Sequence, residues 1–181
     1  RQYDFDGIKL DGCGSSHNIS NWQHLINTTG SKPLLTENCH NQPNYANLSW
    51  CPMNFFRSST DINSDYTKVI GVNLQSVLPY SEYPGPAITR PGCFAYPDML
   101  EVGNFAPQYN ATQYSMDRTH FGAWVVVSAP LIIGYDVTNS TTTDRVWDIL
   151  TNTEALAVSQ TWAGHPGTLL DQSSERVYYE Y

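Results

Sequence analysis

Short apolar strands alternate with helical or irregular stretches along this chain of 181 residues, and this alternation limits the possible folds more than any other feature of the sequence. Five stretches have the residue types of buried strands, the fourth of them continuing into a long loop: residues 4–12, 33–39, 53–61, 92–104 and 129–137. Strands that alternate with helices join into a parallel sheet through right-handed crossovers. The sequence therefore predicts an α/β fold.

Helices are predicted between these strands from apolar spacing and from capping residues. The first covers residues 20–27 and ends at Gly30, and later helices cover residues 112–127 and 143–153. A further helix, with Asp61 or Ser64 as its N-cap, has its apolar side chains on one face. These side chains are Val69, Ile70, Leu74, Val77 and Leu78.

Polar side chains collect where the predicted strands end. They are Lys9, Asp11, Glu37, Arg57, Asp61, Asp98 and Asp136. Doubly wound sheets and barrels both carry their ligand sites at this edge. No Gly-x-Gly-x-x-Gly or Walker loop follows a strand, which disfavours nucleotide binding. Because carboxylates accept hydrogen bonds from hydroxyl groups, the edge favours a sugar ligand.

Two carboxylates are sufficient to hydrolyse a glycosidic bond, and Asp11 and Asp61 are the candidates. In a retaining glycosidase the two carboxyl groups lie about 5–5.5 Å apart, one as nucleophile and the other as acid and then base. This mechanism needs neither a metal nor a cofactor, and we expect none. On composition alone, each aspartate is better explained as a strand-end or helix-capping residue.

Acidic side chains outnumber basic ones, 17 to 9, which gives a net charge of -8 without any basic cluster. Nucleic acid and anionic membrane surfaces are therefore poor partners. The longest apolar run, residues 123–135, is too short to span a bilayer and contains Pro130. We expect no nucleic-acid partner and no membrane span.

Glycosylation triplets and cysteines indicate an oxidising compartment. Asn-x-Ser/Thr occurs at Asn18, Asn27, Asn47, Asn110 and Asn139. Five triplets favour a secreted glycoprotein, or one of a lysosome-like or vacuole-like compartment, and chance in a chain rich in Asn, Ser and Thr is the alternative. The four cysteines lack metal-ligand spacing. Among them Cys39 and Cys51 are the predicted disulfide, worth about 3 kcal/mol in the chain-entropy relation.

Four segments together resemble glycoside hydrolase family 27, the α-galactosidase family of clan D. They are "IKLDGCG", "FFRSSTDI", "YPDMLEVGNF" and "RTHFGAWVVVSAPLIIGYDV", which occur in the family's order and spacing over about 160 residues. The resemblance implies the second half, strands 4 to 8, of a (β/α)8 TIM barrel. It also implies removal of terminal α-galactosyl residues by a retaining mechanism with two aspartates.

The resemblance also implies a role for individual residues. Asp11 matches the nucleophile, with Lys9 beside it to hydrogen-bond sugar hydroxyls. Arg57 and Asp61 match the Arg-x-x-x-Asp motif, in which the aspartate is the acid/base and the arginine contacts the sugar and the carboxylates. Asp98 matches the second aspartate of the family's Asp-Pro-Asp loop, which binds the sugar, and a loop cap before Met99 is a reasonable alternative.

The chain departs from the family pattern at one specificity position. Where typical members read Cys-Glu-Trp, this chain reads "CHN" with His40, and the family glutamate helps recognise the sugar's 2-position. "ENCH", "PGCFAYPDMLEVG" and "WAGHPG" are similar to the plant and protist branch, which includes β-L-arabinopyranosidase activity. His40 either donates to a sugar hydroxyl or satisfies a loop carbonyl. The terminal sugar is therefore α-galactose, β-L-arabinopyranose or α-N-acetylgalactosamine.

The resemblance begins at the fourth strand of the barrel. We expect residues 1–160 to be the C-terminal half of the catalytic barrel, and residues 161–181 to be a linker and the start of a β-sandwich domain. Five barrel strands alone leave two unpaired edges. The expectation is therefore a fragment or processed chain, completed by an N-terminal half of the same precursor or another chain, with which Cys13 pairs.

Two other function classes remain open. A glycosidase-like domain without catalysis can serve as a structural or carbohydrate-binding part of an extracellular assembly, but the retention of both carboxylates and the arginine favours an enzyme. A doubly wound binding protein explains none of the four matched segments.

Overall fold

The computed structural model describes residues 4–30, 32–81, 87–105, 111–172 and 177–180. Four parallel strands form its main sheet: β1 (Gly7–Leu10), β2 (Leu35–Asn38), β3 (Phe55–Arg57) and β4 (Phe94–Tyr96). They lie in sequence order, with Lys9 opposite Glu37 and Arg57 opposite Tyr96. Each of the first three strands pairs with the next after a crossover, so the predicted α/β parallel sheet, consistent with part of a TIM barrel, is confirmed.

The predicted fifth strand, residues 129–137, makes one parallel bridge, between Ile133 and Leu100. Leu100 N donates to the carbonyl of Ile132 at 2.7 Å, and Gly134 N donates to the carbonyl of Leu100 at 2.9 Å. Pro130 has no N–H to extend this ladder toward the start of the segment. The segment therefore pairs with the segment around Leu100 through a single bridge and does not form an extended strand of the sheet.

The first helix, α1 (Ile19–Thr29), has the ends that its sequence predicts. The side chain of Asn18 accepts a hydrogen bond from the N–H of Asn21, and Gly30 closes the last turn. Asn139 and Asn152 cap α5 (Ser140–Leu150) and α6 (Thr153–Gln160) in the same way. Asparagine caps thus mark three helix starts.

The helix after β3 differs from its prediction. It consists of α2 (Tyr66–Lys68), a π-helical turn (Val69–Asn73), a 3₁₀ turn (Leu74–Val77) and α3 (Leu78–Ser81). Its N-cap is Asp65, whose carboxylate accepts from the N–H groups of Thr67 and Lys68, so the predicted caps Asp61 and Ser64 are wrong. Asp61 instead contacts Arg57, as described below.

The core lies between the sheet and the helices. Strand residues Leu10, Phe56 and Ala95 share it with helix residues, among them Trp124 of α4 (Ala111–Val126) and Val146 of α5. Phe56, Trp124 and Val146 are completely buried. Leu35, by contrast, is 58% exposed in β2. Among the described residues, none of the helices has the length and apolar content to cross a membrane.

An antiparallel hairpin follows the barrel-like part, formed by β5 (Thr168–Gln172) and β6 (Val177–Glu180). The preceding segment packs on the rest of the chain: Gly167 N donates to the carbonyl of Val126 at 2.8 Å, and the Trp162 ring meets Phe94 edge-on at 5.9 Å. The boundary between residues 160 and 161 remains a prediction.

The predicted disulfide between Cys39 and Cys51 is wrong, because Cys51 is bonded to Cys93. Cys51 and Cys93 both lie just before neighbouring strands, β3 and β4, and therefore at the same edge of the sheet. Cys39 lies just after β2, at the opposite edge, where its thiol is free and buried. A strand of four residues separates the two edges by about 13 Å, more than a disulfide spans.

Candidate active site

The parallel strands bring the candidate residues to one edge of the sheet, where their carboxyl ends meet. Asp11 directly follows β1, His40 follows β2, Arg57 ends β3, and Asp98 follows β4. Neighbouring strands lie about 4.8 Å apart, so side chains from successive ends are within reach of one another. The structure therefore brings together residues that are as much as 87 positions apart in sequence, as expected for a site at this edge.

Asp11 is held by two donors. Its Oδ1 accepts a hydrogen bond from Gly12 N at 2.7 Å and lies 2.8 Å from His40 Nε2. The pKa of the Asp11 carboxyl is lowered, mainly by the hydrogen bond with His40 and to a smaller extent by the hydrogen bond from Gly12. The side chains of Asp11 and His40 are 52% and 50% exposed. Asp11 is therefore an accessible carboxylate with a fixed orientation.

Lys9 and Glu37 form an ion pair across β1 and β2, where they are register partners. Lys9 Nζ lies 3.2 Å from Oε1 of the buried Glu37. Burial alone would lower the pKa of Lys9, but the attraction of Glu37 outweighs it and the pKa is raised. Lys9 therefore stays charged beside Asp11, with its position fixed by a side chain to which sequence reasoning assigned no role.

Arg57 links two of the candidate carboxylates. Its Nη1 lies 2.6 Å from Asp61 Oδ1 and 3.5 Å from Asp98 Oδ2. Asp61 is four residues after Arg57 and its side chain is 85% exposed, whereas that of Asp98 is only 4% exposed. Gln42 donates to the carbonyl of Arg57 at 3.0 Å. One guanidinium group thus contacts an exposed carboxylate and a buried one.

Asp98 adopts a strained backbone conformation, with φ of 94°. Non-glycine residues rarely occupy this region, and strain of about 1–3 kcal/mol persists only where the surroundings hold it. Here Ile62 N donates to Asp98 Oδ2 at 3.0 Å, and the buried indole of Trp124 donates to the Asp98 carbonyl at 2.8 Å. Such strain is typical of functional sites, and no residue pattern in the sequence indicates it.

Two further groups at this edge were not singled out from the sequence as parts of the site. Tyr96 is buried, and its burial, with the nearby Glu37 and Asp98 carboxylates, strongly raises the pKa of its phenol. The thiol of Cys39 lies near Asp11 and His40, such that one ligand atom of each residue is within 4.8 Å of the others. In the sequence, only the adjacency of Cys39 and His40 indicates this cluster.

Asp136 has a local structural role. Its carboxylate accepts from the backbone and the hydroxyl of Thr138, at 2.9 and 2.7 Å, and so stabilises a turn before α5. Those two bonds lower its pKa.

The predicted glycosylation positions Asn18, Asn27, Asn47 and Asn139 are exposed. The amide oxygen of each accepts a hydrogen bond within its own turn or helix. A glycan is attached at the amide nitrogen, so these bonds are compatible with modification. Asn110 lies outside the described residues. All five stay predictions.

Sequence comparison assigns the chain that forms this edge to a known enzyme family. Residues 1–161 match the family model described as alpha galactosidase A, and the chain therefore belongs to that family of glycosyl hydrolases.

Individual relatives agree with this assignment. The chain is 34% identical over 122 residues to "Alpha-galactosidase 3" of Arabidopsis thaliana, covering 67% of this chain and 25% of the relative. It is 25% identical over 188 residues to "Alpha-N-acetylgalactosaminidase" of Rattus norvegicus, covering 97% and 43%. The chain thus spans less than half the length of these relatives.

A solved structure shows the same fold. The crystal structure of an alpha-galactosidase-like protein from Bacteroides fragilis superimposes with a TM-score of 0.64 at 22% identity. The match covers 92% of this chain and 37% of the other.

Proposed function

We propose that this chain forms part of a retaining glycoside hydrolase that removes terminal α-galactosyl or β-L-arabinopyranosyl residues. Family membership and the activities for which the relatives are named support a glycosidase. The observation that carries the proposal is the arrangement of Asp11, Arg57, Asp61 and Asp98 at one edge of the sheet. These are the positions at which the family resemblance assigns the two reacting carboxylates and the sugar contacts.

The reaction proceeds in two steps. In the first, the Asp11 carboxylate attacks the anomeric carbon and forms a glycosyl ester, while Asp61 gives its proton to the departing glycosidic oxygen. In the second, Asp61 takes a proton from water, whose oxygen attacks the anomeric carbon and releases Asp11. The lowered pKa of Asp11 suits a carboxylate that must be ionised at the outset.

The contacts with the sugar hydroxyls are assigned to four substrate-binding residues: Lys9, Arg57, Asp98 and His40. Arg57 and Asp98 are held by partly buried contacts with each other and with the Ile62 N–H, and these contacts provide a preorganised wall for the sugar. Ion pairs with a solvent-exposed partner such as Asp61 contribute about 0–1 kcal/mol of stability. An entering sugar can therefore separate Asp61 from Arg57. His40 replaces a family glutamate that helps recognise the sugar's 2-position, which is where α-galactose and α-N-acetylgalactosamine differ, so this exchange bears on which of the two sugars is accepted.

We also propose that additional strands complete the barrel, supplied by the same precursor or by another chain of a secreted or lysosome-like protein. Parallel sheets are normally covered on both faces. In the described part of the chain, an apolar groove runs along the sheet past Ile8, Leu35, Phe55 and Ile132, and Leu35 is 58% exposed. Mass analysis of the natural protein and its subunits will identify the covering segment.

Hydrolysis of a panel of aryl glycosides by the full-length protein tests the proposed function. We expect turnover of the α-galactoside or the β-L-arabinopyranoside, and a loss of at least about 10³-fold in Asp11→Asn, since the nucleophile is removed. Asp136→Asn is the matched control, because this aspartate stabilises a turn. Absence of turnover on every glycoside, with sugar binding retained, would instead favour a non-catalytic carbohydrate-binding domain.

A further inference from the structure

The strand ends also bring together three side chains that suit a metal ion. Asp11 Oδ1 and His40 Nε2 are 2.8 Å apart, and these atoms and the Cys39 sulfur all lie within 4.8 Å of one another. Carboxylate, imidazole and thiolate are the ligand types found in zinc sites. Two adjacent residues after β2 and one residue after β1 provide the full set.

The distances suit Zn²⁺ after a small adjustment. Bond lengths of about 2.0–2.3 Å to oxygen, nitrogen and sulfur place the ligands of a tetrahedral zinc ion about 3.3–3.6 Å apart. The three atoms of the cluster need to shift by about 1 Å at most to reach this geometry. The side chains of Asp11 and His40 are half exposed, so an ion enters from solvent and a water takes the fourth position.

Carboxylates outnumber cationic side chains at this edge, and the two cations nearest Cys39, Lys9 and Arg57, are paired with carboxylates. Four carboxylates lie at this edge, against two cationic side chains: Asp11, Glu37, Asp61 and Asp98 against Lys9 and Arg57. The Cys39 thiol is buried and is not part of the disulfide. It is therefore available as a soft ligand, and it loses its proton to solvent when the metal–sulfur bond forms.

We propose that Asp11, Cys39 and His40 form a Zn²⁺ site, and that the bound ion inhibits the enzyme by taking the Asp11 carboxylate as a ligand. The second half of this proposal rests on the proposed function, because it requires Asp11 to be the nucleophile. The first half does not. His40, which stands where the family pattern has glutamate, is the residue that gives this chain the site.

Cobalt spectroscopy on the full-length protein tests the site without reference to activity. Co²⁺ replaces Zn²⁺ at such sites and absorbs through a sulfur-to-cobalt transition when a thiolate is a ligand. We expect one equivalent of Co²⁺ to give this absorption and Zn²⁺ to remove it. The absorption should be lost in Cys39→Ser and retained in Cys13→Ser, which removes the exposed free thiol.

Affinity measurements separate direct ligation from an indirect effect. Changes in a second coordination shell cost about 10–100-fold in metal affinity, so loss of the imidazole in His40→Gln should weaken Zn²⁺ binding by at least that factor. His40 is exposed, so this variant keeps its fold even where Cys39→Ser does not. His17→Gln is the control, because its ring contacts the Gly14 carbonyl in a neighbouring loop. An absorption that follows Cys13, or an affinity unchanged in His40→Gln, would overturn the site.

Inhibition is measured separately, as hydrolysis against Zn²⁺ concentration. Inhibition that is competitive with the sugar and weakened in parallel with affinity in His40→Gln supports the complete proposal. Zinc binding in a protein without hydrolysis retains the site and refutes the proposed function. Hydrolysis that is indifferent to zinc at saturating occupancy refutes inhibition through Asp11.

Discussion

Removal of the Cys51–Cys93 disulfide is expected to lower the free energy of unfolding by about 4 kcal/mol. The two residues are 42 positions apart, and the chain-entropy relation gives about 4 kcal/mol for a loop of this length. The Cys39–Cys51 pairing that the sequence suggested closes a much shorter loop and gives about 3 kcal/mol. The two pairings therefore differ in magnitude, and differ more clearly in which cysteines carry the effect.

The assay is guanidinium unfolding of the full-length protein with a set of cysteine variants. The double variant Cys51→Ala/Cys93→Ala should lose about 4 kcal/mol, and it should lose a similar amount in a Cys39→Ala background. Cys39→Ala alone should cost only the packing of one small buried side chain. Ser15→Ala, at an exposed residue outside the disulfide, is the matched control.

Peptide mapping without reduction identifies the bond itself. The peptides that contain Cys51 and Cys93 should be recovered joined, with Cys39 reactive toward thiol reagents only after unfolding, because it is buried. A Cys39 peptide joined to Cys51 would refute the reasoning. So would a stability loss that is complete in Cys39→Ala and does not grow when Cys51 and Cys93 are also replaced.

Three other perturbations test the fold around the site. Burial lowers the pKa of His120 to about 3, so below its ordinary value near 6.5 the unfolded chain binds a proton that the folded chain does not. The free energy of unfolding should therefore fall between pH 6.5 and pH 3, by up to about 1.4 kcal/mol per pH unit. Chemical unfolding at several pH values should show a less steep fall in His120→Gln. Gly134→Ala places a Cβ 2.6 Å from the Leu100 carbonyl oxygen and should destabilise the bridge between these two segments. Gly122→Ala in α4 meets open space and should raise the free energy of unfolding by about 0.4–1 kcal/mol. Thermal unfolding of the two variants measures both effects. Trp124→Phe removes the donor to the buried Asp98 carbonyl and should cost about 1–3 kcal/mol, with weaker sugar binding measured by calorimetry; unchanged binding would show that this hydrogen bond does not position Asp98.

Features governed by local rules were accessible from the sequence. The four strands are apolar segments at the predicted places, and α1 lies between Asn18 and Gly30 because cap chemistry is local. Features that depend on distant packing were not. The cysteine pairing depends on which edge of the sheet each cysteine occupies, and sequence distance alone favoured the wrong partner. The contact between Asp11 and His40, 29 positions apart, requires the register of β1 and β2.

The charged edge contains a rigid part and an exposed part, and this division predicts that substitutions will act differently in the two. Asp98 is buried and accepts from the half-buried N–H of Ile62, so Asp98→Ala leaves this donor without its acceptor and Arg57 with Asp61 alone, and should cost about 1–3 kcal/mol of stability together with sugar affinity. Asp11 is half exposed, so Asp11→Asn should abolish turnover with little change in stability. Thermal unfolding and sugar binding of the two variants, measured side by side, separate these effects. Equal losses of stability would mean that the whole edge is one cooperative unit, in which the nucleophile also supports the fold.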